Sequence, residues 1–168
     1  NVVNLASRCA KFVQRTGLST AYPNDDGLFA NAAAAGEEIA AAYEACDYNR
    51  ATRLIMEIAY RANAFIENAE PWKLNKDPAN AQKLQDVCTI ALNLFRQLAI
   101  YLAPVLPRLV EQTGDLLHDP ITNWKQSTSP LTGTRVNEFK HLLKRITLEE
   151  AQTMMEESKQ IDVAPPQL

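Results

Sequence analysis

Glycine is scarce in this 168-residue sequence, with five residues in all, while alanine is abundant. That balance excludes a fold built on tight glycine turns and favours helix, because Ala is the best helix former and Gly among the worst. No phosphate-cradling Gly-rich loop, H-E-x-x-H or G-x-S-x-G pattern occurs. The three cysteines, Cys9, Cys46 and Cys88, form no C-x-x-C pair, and His118 and His141 stand isolated. No metal site is therefore expected, and all three thiols read as buried and reduced. Long apolar runs are missing too, which excludes a transmembrane helix of the usual length. The adjacent acids Glu37 and Glu38 point to different helix faces. The pairs Glu149/Glu150 and Glu156/Glu157 read as solvated faces. No Ser or Thr has a histidine partner that spacing alone justifies. No catalytic residue is expected in this chain.

The hydrophobic fraction is 46%, enough for one globular domain with a real core. The chain opens on "NVVNLASRCAKF", inside a helical pattern and without a signal-peptide layout, so it reads as a piece of a longer protein. Residues 1 to about 15 have two faces. Val2, Leu5, Cys9, Phe12 and Val13 form an apolar stripe; Asn4, Arg8, Lys11 and Arg15 share the opposite side. A second helix is expected over 26–45, capped by Asp25 or Asp26, with Phe29, Ala33, Gly36, Ala40 and Tyr43 inward. A third begins near Asp47, with Leu54, Ile55, Ile58, Ala62, Phe65, Ile66 and Ala69 as its inner face. After the junction at Pro71, a short turn runs to Leu74. Asp77 and Pro78 then open the longest helix, which ends near Pro104. A shorter helix places Leu109, Val110, Thr113 and Leu116 inward. Residues 118–138 read as an ordered loop with Trp124 as its anchor. A capping box at "TLEE" starts a last helix to about 159, and 160–168 is a tail or linker. The sum is all-α, an antiparallel bundle of about five main helices over residues 1–159.

With catalysis unsupported, binding remains. The net charge of −3 argues against a general nucleic-acid coat but not against a local site. The first 16 residues carry Arg8, Lys11 and Arg15 and no acid. In "NAFIENAEPWKLNK" (63–76), Pro71 breaks the helix and places Trp72 at a corner. Two readings of Trp72 follow. It plugs the end of the bundle, or it serves as a platform on which an unstacked RNA base lies. The second needs a polar group and positive charge nearby, and Asn4 and Arg8 supply both, one helical turn apart on one face.

Three segments carry a resemblance. "NLASR" (4–8), "EPWKLNK" (70–76) and "LAPVLPRL" (102–109) together resemble the anticodon-binding domain of bacterial methionyl-tRNA synthetases. "NLFRQLAIYLAPVLP" (93–107) resembles that family's long helix and its proline exit, and "PLTGTRVNEFKHLLKRI" a later segment. The resemblance covers about residues 1–159. It implies that the bundle reads the CAU anticodon of methionine tRNA, with Asn4 and Arg8 on bases, Trp72 stacked on a base and Pro71 holding its corner. Lys11 and Arg15 would serve phosphates or steering. The family's "HIGH" and "KMSKS" motifs and zinc knuckle do not occur here. ATP-dependent methionine–tRNA ligation, and any zinc, would then belong to a catalytic domain elsewhere in the polypeptide, with no cofactor in this domain. The implied partners are methionine tRNA and that catalytic domain, in the cytoplasm, with neither a membrane nor DNA involved. Some family members add a C-terminal dimerisation module. Two alternatives stand beside this reading: the related bundle of an Ile, Val, Leu or Cys synthetase, and a helical protein-interaction module.

Overall fold

The computed structural model describes residues 2–140 together with 152, 153 and 155. All regular elements among these residues are helical. They are α1 (Val2–Val13), α2 (Leu28–Ala34), α3 (Gly36–Glu44), α4 (Tyr48–Ala69), the single turn α5 (Pro71–Leu74), α6 (Ala81–Leu102) and α7 (Pro107–Leu117). Short 3-10 turns occupy Pro78–Asn80 and Trp124–Thr128. Of "EFKHLLKRI" (138–146), which could form a turn of helix, residues 138–140 are not helical and the rest lies outside the described residues, as does most of the expected last helix. Residues 152, 153 and 155 are helical.

The local signals act as their chemistry dictates. The Asp47 side chain accepts the Arg50 N–H at 3.0 Å and starts α4. Asp77 accepts the Ala79 N–H at 3.0 Å ahead of Pro78, so the 3-10 turn feeds directly into α6. At α2 the residue before the first helical position is Gly27, not an aspartate. Asp25 still serves that end: its carboxylate accepts the Phe29 N–H at 2.7 Å and the Gly27 N–H at 3.0 Å.

The core is organised around α6, which packs against every other α-helix. Each residue from Val87 to Tyr101 is buried. A helix buried on all sides must find partners for its polar groups inside the fold, and α6 finds most of them by holding loops, Gln97 Oε1 being left without one among the described residues. Thr89 Oγ1 accepts the Ser19 N–H at 2.8 Å. Asn93 accepts the Leu131 N–H at 2.6 Å and donates to the Leu131 carbonyl at 2.9 Å. The Gln97 amide donates to the carbonyls of Phe29 and Ser127. Arg96 Nε meets Asp119 at 2.5 Å, and its Nη1 donates to the carbonyls of Gln126 and Ser129. The segment after α7 is thereby fixed as an ordered loop. Trp124 anchors it, 5.0 Å from the ring of Tyr101.

Two expectations need correction. The helix over 26–45 is two helices, joined at Ala35. Gly36 sits against Tyr101 so closely that a Cβ would lie 2.9 Å from its hydroxyl, and that hydroxyl donates to the Ala32 carbonyl at 2.9 Å. The joint shifts the inward set from Ala33 and Ala40 to Ala32, Ile39 and Ala42, with Phe29 and Gly36 retained and Tyr43 half-buried. Cys46 is exposed, at φ 55° just beyond α3, while Cys9 and Cys88 are buried. In α1 the apolar stripe is buried at Leu5, Cys9 and Val13 and half-buried at Val2 and Phe12.

Candidate nucleic-acid interface

The junction between α4 and α6 sets the site. Pro71 has no N–H to donate and disfavours a right-handed helical conformation before it. Glu70 accordingly takes the left-handed conformation, at φ 46° and ψ 58°, and its N–H closes α4 on the Ile66 carbonyl. Pro71 then starts α5 and is buried. The chain turns sharply there, and Trp72, the next residue, projects from the corner with 36% of its surface exposed. Lys73 is tied back to Glu70 at 2.8 Å. Trp72 is thus neither a core plug nor a freely hanging side chain.

Its neighbour comes from α1. The Arg8 guanidinium lies over the Trp72 ring, with Cζ 5.8 Å from the ring centre. The same guanidinium pairs with the carboxylate of Glu67, in the last turns of α4. The Arg8 and Glu67 side chains remain 37% and 54% exposed. A cation over an aromatic face contributes about 0.5–1 kcal/mol at an exposed site. An exposed ion pair adds about 0–1 kcal/mol. Together they hold the fork of donors in one place and remain cheap to exchange for a ligand.

Asn4 lies one turn before Arg8 and is exposed. Its side chain makes no hydrogen bond among the described residues; its backbone carbonyl accepts the Ser7 hydroxyl at 3.1 Å. Lys11 and Arg15 are also exposed, and Lys11 Nζ rests 4.9 Å from the centre of the Phe12 ring. The structure therefore brings Arg8, Trp72 and Pro71 to one corner. It places Asn4 beside them on the same face of α1 and leaves Lys11 further along that helix and Arg15 in the turn after it.

Glu67 escapes a reading of the sequence, because nothing local ties it to an arginine 59 positions earlier. The three side chains form a surface with a planar aromatic, planar donors and a carboxylate acceptor. Such a surface suits a planar, hydrogen-bonding ligand more than a bare phosphate. Among the described residues no group of three or more His, Cys, Asp or Glu is placed to hold a metal ion, and no helix is long and apolar enough to cross a membrane.

A family model described as the anticodon binding domain of methionyl tRNA ligase matches residues 17–158. Trp72, Pro71 and Glu67 fall inside that range; α1, with Asn4 and Arg8, precedes it. The methionine–tRNA ligase of Rhodopirellula baltica is 58% identical over 158 residues, which are 94% of this chain and 23% of that protein. Methionine–tRNA ligase 1 of Sorangium cellulosum is 49% identical over 163 residues, 97% of this chain and 24% of that protein. Both alignments reach into α1, since each covers more than nine-tenths of the chain. The chain spans about a quarter of the length of these curated relatives. The crystal structure of apo Mycobacterium tuberculosis methionyl-tRNA synthetase superposes with a TM-score of 0.75 over 88% of this chain and 32% of that one. At 21% identity that likeness is one of fold. Bundle, junction and sequence agree: the chain belongs to the family of anticodon-binding domains of methionyl-tRNA ligases.

Proposed function

We propose that this bundle reads the CAU anticodon of methionine tRNA for a polypeptide whose catalytic domain ligates methionine to that tRNA using ATP in the cytoplasm. The observation that carries the reading is the Arg8–Trp72 corner on a domain of this family. Trp72 offers its exposed ring to an unstacked anticodon base. Asn4 and Arg8 read base edges: a side-chain amide presents donors and an acceptor together, and a guanidinium donates along two parallel bonds. Pro71 fixes the angle of the corner. Lys11 and Arg15 attract the backbone without reading sequence. ATP, and any zinc, act in the catalytic domain and not here.

Binding requires Arg8 to leave Glu67 or to share it. The exposed ion pair contributes at most about 1 kcal/mol, and one base–aromatic stack about 1–3 kcal/mol. The stack therefore covers the exchange, and the pair keeps the guanidinium positioned until RNA arrives.

The test is a titration of the protein against a stem-loop carrying CAU, beside one with a single anticodon base changed. CAU binds more tightly, and Trp72→Ala lowers affinity for it about tenfold to a hundredfold, from the loss of one stack. Equal affinity for both loops with the wild-type protein would sink the reading in favour of charge attraction alone.

A further inference from the structure

Among the large apolar side chains exposed on the described surface, Tyr60 stands out at 59% exposure. It lies on α4 seven residues before Glu67, so two helical turns place both side chains on one face, about 10 Å apart along the axis. Its ring has no aromatic neighbour and its hydroxyl makes no hydrogen bond among the described residues.

The path of the helices brings Tyr60 towards the Arg8 corner. α1 runs antiparallel to α6: Cys9 touches Cys88, while Gly17, further along, accepts a hydrogen bond from Gln85 at 3.0 Å. α4 also runs antiparallel to α6, through the short junction at Pro71, with Ile58 and Leu94 lining one cleft. Helices α1 and α4 therefore run the same way. From the Arg8–Glu67 pair, one turn back along α1 reaches Asn4, and two turns back along α4 reach Tyr60. The order along the surface is Trp72, then Arg8 with Glu67, then Asn4, then Tyr60. Arg53 continues the Tyr60 face a further seven residues back and is exposed.

We infer that Tyr60 is a second base-stacking residue, at the opposite end of the binding strip from Trp72. It takes a base of the loop flanking the triplet, while Arg53 meets the adjoining phosphate. The inference rests on the anticodon reading above. The spacing fits: the roughly 10 Å from Glu67 to Tyr60 is the rise of about three stacked nucleotides at about 3.4 Å each, and Trp72 lies beyond Glu67 at the other end. The chemistry fits as well. Tyr offers a large rigid face at low entropic cost, and an aromatic face accepts any base. An aromatic more than half exposed beside a read-out site, with no aromatic partner among the described residues, has ring surface available for a base.

The experiment compares Tyr60→Ala, Tyr60→Phe and Trp72→Ala, using CAU stem-loops in which 2-aminopurine replaces one loop base flanking the triplet on either side. Tyr60→Ala is expected to weaken binding about fivefold to a hundredfold. It is also expected to abolish the 2-aminopurine quenching at one flanking position. Tyr60→Phe keeps both, because the ring and not the hydroxyl carries the contact. Unchanged affinity and quenching in Tyr60→Ala, with binding still lost in Trp72→Ala, would overturn this inference and leave the anticodon reading standing. Unchanged behaviour in all three variants would remove the anticodon site itself. An unchanged thermal melt of Tyr60→Ala separates lost contact from lost fold, since an exposed side chain contributes little to stability.

Discussion

Arg8 is the residue on which the corner turns. It touches both an aromatic face and a carboxylate, and its planar guanidinium stacks on the one while aiming N–H donors at the other. Arg8→Lys keeps the charge and loses the fork. If Arg8 reads a base edge, the substitution should lower affinity for the CAU loop about fivefold to a hundredfold, the worth of one bidentate contact, with less effect on a loop of changed anticodon. An equal loss on both loops would show that Arg8 supplies charge and not readout. The first half of this arrangement was legible in the chain: Asn4 and Arg8 fall on one helical face by spacing alone, and Pro71 announces a corner at Trp72. The Glu67 partnership was not, because an ion pair across two helices leaves no periodic mark.

At the scale of elements, α6 holds the loops that other helices leave unpaired. Arg96 is 5% exposed and Asp119 19%, and the arginine also binds two carbonyls of the loop after α7. Removing the carboxylate strands a buried cation. Asp119→Ala should cost about 3 kcal/mol, the low end for breaking a buried pair, because the carbonyls remain. For a domain of this size that corresponds to a loss of roughly 10 °C in Tm. A melt within about 1 °C of wild type would show that the carbonyls alone suffice. The long inward stripes of α4 and α6 were readable from their periodicity. The break at Ala35 was not: a run of alanines has no polar face to set against an apolar one. The joint is instead set by Tyr101, which lies far along the chain and packs against Gly36.

For the whole molecule, the thiols report how the core is closed. Cys9 and Cys88 meet across the α1–α6 interface. The hydrogen bond that the Cys88 thiol makes to Cys9, and then burial, push that thiol well above its ordinary range. The raised value keeps Cys88 protonated, and the thiolate is the reactive form. Cys46 is exposed. Alkylation of the native protein at neutral pH should modify Cys46 alone, with Cys9 and Cys88 following only at the rate of opening or unfolding. Mass mapping after a timed iodoacetamide pulse checks this. Rapid labelling of Cys88 would mean that α1 detaches from α6 easily, and with it the face carrying Asn4 and Arg8.

The sequence by itself determined the helical class, most helix starts and ends, and the two local halves of the site. These rest on forces acting within a turn or two: apolar periodicity, an aspartate cap, a proline that cannot donate. Only the tertiary structure decided where α2 gives way to α3, that Cys46 faces water, and that Arg8 lies between Trp72 and Glu67. Those outcomes depend on which surfaces meet when helices pack around α6, and no spacing along one helix specifies what lies across from it.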